Sequence, residues 1–117
     1  MDDILELTLL YDFYGELLTQ KQKLVYEMYY QNDLSLSEIG QELSVSRQAV
    51  RDQLKRTEGI LYGYEQKLQL VSRFLQQQRA VRQMKHMIEE LEKQYSLSEE
   101  GIAALEKIKG IADEILE

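Results

Sequence analysis

Residues 34–56, Leu34-Ser35-Leu36-Ser37-Glu38-Ile39-Gly40-Gln41-Glu42-Leu43-Ser44-Val45-Ser46-Arg47-Gln48-Ala49-Val50-Arg51-Asp52-Gln53-Leu54-Lys55-Arg56, read as two short helices joined by a tight turn. Ser35 can cap the first helix, because its side-chain oxygen satisfies a backbone N–H that has no partner inside the helix. Glu38, three residues on, can reach back and complete a capping box. Ile39 and Leu43, spaced i, i+4, share one face. Gly40 costs about 1 kcal/mol against alanine inside a helix, so it needs a reason; the close approach of a crossing helix supplies one. The chain then turns at Ser44-Val45, and Ser46 can cap the second helix. Val50, Leu54 and Thr57 line the inner face of that helix, leaving Arg47, Gln48, Arg51, Asp52 and Lys55 outside. A helix pair with an apolar back and a basic, amide-bearing front is a helix-turn-helix. Its second helix fits the DNA major groove, where Arg and Gln read base edges and flanking cations touch phosphate. The alternative for the same pattern is an ordinary helical hairpin with a solvated polar face.

Outside this stretch, composition sets the limits. The chain has 117 residues, 44% of them hydrophobic, with no proline and no cysteine. That length holds one domain, or a small domain with a helical extension. The absence of proline favours long unbroken helices. The absence of cysteine excludes disulfides, thiol chemistry and cysteine-based zinc sites. No apolar run approaches the roughly 20 residues of a membrane span. The start, Met1-Asp2-Asp3, lacks the basic region of a signal peptide, so a soluble cytoplasmic protein is expected. The net charge of −7 argues against phosphate binding, but the charge is banded. Residues 1–46 carry −7, residues 47–57 carry +3, residues 67–86 carry +5 and residues 87–117 carry −6. The two basic bands are the second helix of the motif and a mid-chain stretch, and a local basic surface matters more for docking than the total.

Working outward, residues 3–18 predict an amphipathic helix with Ile4, Leu7, Leu10 or Tyr11, Tyr14 and Leu18 inward. Asp2, Asp3 and Glu6 near its start complement the helix dipole. Thr19 with Gln22 predicts a second capping box, opening a helix over about 20–31. In that helix Leu24, Val25 and Met28 face inward, Tyr29 partly so, with Lys21 and Lys23 outside. Asn32-Asp33 is a turn signal. The unit is thus four helices in about 57 residues.

The segments Asp12–Thr19, Lys21-Gln22, Glu27–Tyr30, Asp33–Ile39, Val45–Asp52, Lys55–Glu58 and Tyr64–Leu68 together resemble the YlxM family of small bacterial helix-turn-helix proteins. The resemblance covers roughly residues 9–75. More distantly, the same segment is similar to region 4 of bacterial sigma factors, whose corresponding helices read a promoter element. The resemblance implies a sigma region 4-like DNA-binding fold. It places Ser46, Arg47, Gln48, Arg51 and Asp52 at the recognition helix, with Lys55 and Arg56 near phosphate. Because such genes usually sit beside that of the signal recognition particle's protein subunit, it also implies a link to that pathway. Asp52 departs from a purely basic face. It could accept a hydrogen bond from cytosine, hold Gln48 from one turn away, or pair with Arg56.

Beyond the motif, Leu61, Tyr64, Leu68, Val71 and Leu75 make a heptad seam. Met84, Ile88, Leu91 and Tyr95 resume it in a shifted register, so a bend, a break or a change of packing partner is expected near 76–83. Ser96 with Glu99 is a further candidate capping box. A last helix over about 97–116 carries Ile102, Leu105, Ile108, Ile111 and Ile115. The expected architecture is all-α: a helix-turn-helix domain over 1–58 and long C-terminal amphipathic helices over 59–117, serving as dimerisation or fold-back helices.

Little points to chemistry. His86, the single histidine, lies one turn from Glu90 and reads as half of a surface pair. No phosphate loop, nucleophile elbow or metal-ligand cluster is present. Tyr11, Tyr14, Tyr29 and Tyr64 fall on core positions; Tyr30 and Tyr62 are the candidates for exposed contacts. Catalysis and cofactors are therefore not expected. Two function classes stand: a DNA-binding regulator, self-associating so as to present two recognition helices, or a protein- or RNA-binding accessory of the signal recognition particle without sequence-specific DNA binding.

Overall fold

The computed structural model describes residues 3–117, with side chains from residue 4 onward, and the described residues form six helices and no strand. They are α1 (Asp3–Tyr14), α2 (Gln20–Tyr30), α3 (Leu36–Leu43), α4 (Arg47–Leu68), α5 (Leu70–Gln94) and α6 (Glu99–Leu116). A single 3-10 turn, Gly15–Leu17, links α1 to α2. The dipole role expected of Asp2 and of the Asp3 side chain lies outside the described residues.

Two compact units divide the chain at Val71/Ser72. Residues 58 and 59, where the sequence reading divides it, lie within α4, which continues for ten residues past Glu58.

In the first unit α4 is the shared pillar. Its N-terminal half gives Val50 and Leu54 to a cluster with Val25 and Ile39, flanked by Met28, Leu34, Leu36 and Leu43. Its C-terminal half gives Leu61 to a cluster with Leu7, Leu10, Tyr14, Leu18, Tyr26 and Val71. Tyr30 packs on both clusters and ties them together. Leu10 is buried and Tyr11 half-buried, so Leu10 takes the core position left open by the sequence. Ile4, expected inward, is exposed.

Tyrosines brace this unit with polar as well as apolar contacts. Tyr11 stacks on Tyr26 at a centroid distance of 4.1 Å, and its hydroxyl donates to Glu27. The hydroxyl of Tyr30 donates to Glu58 at 2.6 Å, which corrects its expected exposure: it is a packing residue. Tyr62 is the exposed one, at 38%, and donates to Glu6.

A third such pair decides where the long helix stops. Tyr14 donates to Glu65 at 2.6 Å. Together they cap α5: the Tyr14 hydroxyl accepts from the Leu70 N–H, and Glu65 accepts from the Val71 N–H, each at 3.0 Å. With its first amides satisfied, a new helix starts, and Gln69 between the two helices lies in the left-handed region at φ 55°. The break therefore falls at Gln69. Residues 76–83, where a bend, a break or a change of packing partner was expected, run unbroken within α5, and the change is one of partner: Val71 packs in the first unit's core, whereas Gln78 bonds to Ile115 of α6. The heptad seam fails for the same reason: Leu61 and Val71 are buried, but Leu68 and Leu75 on either side of the break are exposed.

In the second unit α5 and α6 form a hairpin. Gln78, Val81, Ile88 and Ala112 are buried, and Gln78 donates to the Ile115 carbonyl at 3.1 Å. Lys85 pairs with Asp113 at 2.6 Å, and Lys109 with both Glu92 and Glu106 at 2.9 Å. The α6 cap is Ser98, accepting from the Gly101 N–H, in place of the expected Ser96. Glu90, expected to meet His86, carries its ion pair with Lys93 at 3.9 Å.

Candidate nucleic-acid interface

The helix-turn-helix is built by local chemistry. Ser35 accepts from the Glu38 N–H at 3.0 Å while Glu38 accepts from the Ser35 N–H at 2.8 Å, so α3 opens on the expected capping box. The Thr19–Gln22 box at the start of α2 is formed likewise. α3 ends where Ser44 enters the left-handed region at φ 59°, its N–H returning to the Gly40 carbonyl. Val45 repeats that bond at 2.9 Å. This tight wrap explains Gly40. A Cβ there would stand 2.7 Å from the Val45 carbonyl oxygen. The neighbour that forbids a side chain is thus the turn's own backbone, a correction to the crossing helix expected from sequence.

Ser46 then caps α4, accepting from the Ala49 N–H at 3.0 Å. Val50, Leu54 and Thr57 are buried behind it. With that face fixed, Arg47, Gln48, Arg51, Asp52, Lys55 and Arg56 are all exposed. At 100° per residue, Gln48, Asp52 and Lys55 point most directly away from the core, with Arg47 and Arg51 on one flank and Arg56 on the other. None of the four cations makes an ion pair with a described residue. The first turn of α4 carries no acid and begins with Arg47. A cation at that end opposes the helix dipole, at a cost of about 0.3–1 kcal/mol at an exposed site. The positive end of the helix and two guanidinium groups therefore add up on one surface.

Asp52 takes the second of its three readings. It accepts from Gln48 Nε2 at 3.0 Å, one turn away. The pair fixes the amide of Gln48 with its oxygen free to accept and one N–H committed, and it leaves Arg56 unclaimed by Asp52.

The sequence missed one feature beside this surface. Leu24, expected inside, is 47% exposed, and Val45 is 42% exposed. They line a groove of about 420 Å³ with Leu43, Lys21, Gln53 and Arg56. The helical spacing of α2 placed Leu24 next to Val25 on the inward arc; the signal available was its position at the edge of that arc. Among the described residues no cluster of His, Cys, Asp or Glu could hold a metal ion, and no helix is long and apolar enough to cross a membrane.

Residues 1–108 match the model of the UPF0122 family, described as "Putative helix-turn-helix protein, YlxM / p13 like". The chain belongs to this family. UPF0122 proteins of Bacillus cereus (strain AH187), Bacillus anthracis (strain A0248) and Bacillus thuringiensis subsp. konkukian (strain 97-27) are each 48% identical to it over 99 residues, covering 85% of this chain and 90% of the relative. The match spans both the helix-turn-helix and most of the α5–α6 hairpin, so the two units occur together in the family.

Proposed function

We propose that this UPF0122 protein is a DNA-binding regulator that lays the N-terminal half of α4 in the major groove. The observation that carries the reading is the row of exposed cations, Arg47, Arg51, Lys55 and Arg56, which no acid among the described residues neutralises, on a helix capped by Ser46 and braced by Val50 and Leu54. Arg47, Arg51 and Gln48 address base edges; Lys55 and Arg56 address phosphate. Ser46 acts chiefly by fixing the start of the helix. The protein acts in the cytoplasm as a pair of chains, so that two recognition helices meet one duplex. It performs no catalysis.

A second reading is favoured by the groove at Leu24 and Val45 and by Asp52 on the outward face: an accessory of the signal recognition particle that binds its protein or RNA and reads no duplex sequence. Selection from a random duplex pool separates the two. A regulator enriches a defined motif, and the enrichment vanishes in Arg47→Ala/Arg51→Ala. A pool recovered without enrichment, together with retention of the particle's purified RNA or protein, would replace the first reading by the second.

A further inference from the structure

The α5–α6 hairpin spends its seam on polar contacts. Gln78, Lys85, Glu92 and Lys109 occupy seam positions, and the buried apolar residues of this unit are Val81, Ile88 and Ala112. Most of its larger aliphatic side chains lie elsewhere. On α5, Met84, Met87 and Leu91 sit about a quarter turn to one side of the seam line at 100° per residue; on α6, Ile108, Ile111 and Ile115 are offset by about the same angle in the same sense. In two antiparallel helices, equal offsets in the sense of the chain fall on the same face of the pair. The ion pairs set the level, Glu92 opposite Lys109 and Lys85 opposite Asp113. Leu91 is therefore level with Ile108, and Met87 with Ile111. The six side chains form one continuous patch, each between 45% and 59% exposed. Such a patch amounts to on the order of 500 Å², the scale that marks an interaction surface.

We propose that this face is covered by the same face of a second copy, giving a four-helix dimer. The charge pattern selects that occupant. α5 carries four bases and no acid over residues 70–86 and three acids and one base over 87–94, whereas α6 carries five acids and two bases. A second hairpin laid across the first sets the basic stretch of each α5 over the acid-rich α6 of the other, and the match occurs twice about the two-fold axis. A uniformly acidic or basic partner would match one helix and repel the other. Four helices with the patch inside bury the stripes that two helices leave in water.

The inference rests on the pairing of chains proposed above and is independent of what α4 binds. Light scattering on the full chain at micromolar concentration tests it. The wild type, and Leu75→Lys on the opposite side of the α5 seam, are expected at twice the 13.8 kDa of one chain. Met87→Lys and Ile111→Lys are expected at one chain mass with helical circular dichroism retained. Because the chain has no cysteine, single cysteines at Met87, Leu91, Ile108 and Ile111 give a second readout: at least one is expected to cross-link copies on oxidation, and one at Leu75 is not. A monomeric wild type, or a dimer that survives both lysines, or cross-linking at Leu75 alone, would overturn the proposal. Duplex binding measured on the same samples reports on α4 separately: its loss with the dimer intact counts against the DNA reading, and its retention by a monomeric wild type counts against this one.

Discussion

At the scale of single residues, glycine and tyrosine carry the account. Gly40 is fixed by a carbonyl oxygen 2.7 Å from where its Cβ would be. Backbone cannot yield there as a flexible side chain could. Gly40→Ala is therefore expected to destabilise the first unit by about 1–3 kcal/mol, the range for overpacking a tight site, seen as a lower urea midpoint with an unchanged slope. The sequence marked the position as special, but not the neighbour responsible, because only the fold tells a crossing helix from the turn that follows. The tyrosines make a pH prediction. Burial raises Tyr11, Tyr14, Tyr26 and Tyr30 above the ordinary value of 10, assisted at Tyr11, Tyr14 and Tyr30 by hydrogen bonds to carboxylates. Tyr26 is pushed up to about 12, first by burial and then by the charges of Asp12 and Glu58. A group raised on folding stabilises fully below its unfolded value and loses that contribution as pH climbs to its folded one. Stability is thus expected to be level up to about pH 10 and to fall between about 10 and 12, with the tyrosinate absorbance of these four rising late and together with unfolding. Tyrosinate formation in full below pH 11 without loss of helicity would contradict the packing described.

Elements show which signals are local and which are not. The boxes Thr19–Gln22 and Ser35–Glu38 and the cap at Ser46 join residues three apart, so they were legible from sequence and formed as expected. Ser46→Ala is expected to cost about 1 kcal/mol through the lost cap, and with it some order in the helix that carries Arg47. The stop at Gln69 was not legible. It is set by Tyr14 and Glu65, 51 residues apart in the chain, and a capping pair that distant leaves no trace in local periodicity. The register shift over 76–83 records the last of its three expected readings, a change of packing partner within one helix, where the polar residues Gln78 and Lys85 take up positions facing α6. α4 also holds two glycines with open space where a Cβ would be, Gly59 and Gly63. Neither meets a neighbour, so Gly59→Ala and Gly63→Ala should each stabilise by roughly 0.5–1 kcal/mol through helix propensity, measured as a raised unfolding midpoint. A loss of stability at either would show that the outer side of α4 is packed in solution.

For the whole molecule, charge is the deciding quantity. A chain of net −7 binds a polyanion only if its cations are gathered where the acids are not. Along the chain they are gathered twice, and the first band coincides with the exposed front of α4. The fold class and the exposed, basic front of α4 were legible because both follow from short-range patterning: apolar spacing, caps and charge bands. The groove at Leu24 and the face of the α5–α6 hairpin were not, because each depends on which of several apolar stripes the tertiary packing leaves uncovered. Membership of UPF0122 joins the two units in one family design. The most direct measurement is fluorescence anisotropy of a labelled duplex titrated with the full chain across a range of salt. The account expects log affinity to fall linearly with log salt, and the slope to lessen by about one for each cation removed from phosphate, with Arg47→Ala/Arg51→Ala losing most of the affinity at any one salt concentration. Binding that ignores salt, or that survives the double substitution unchanged, would contradict it.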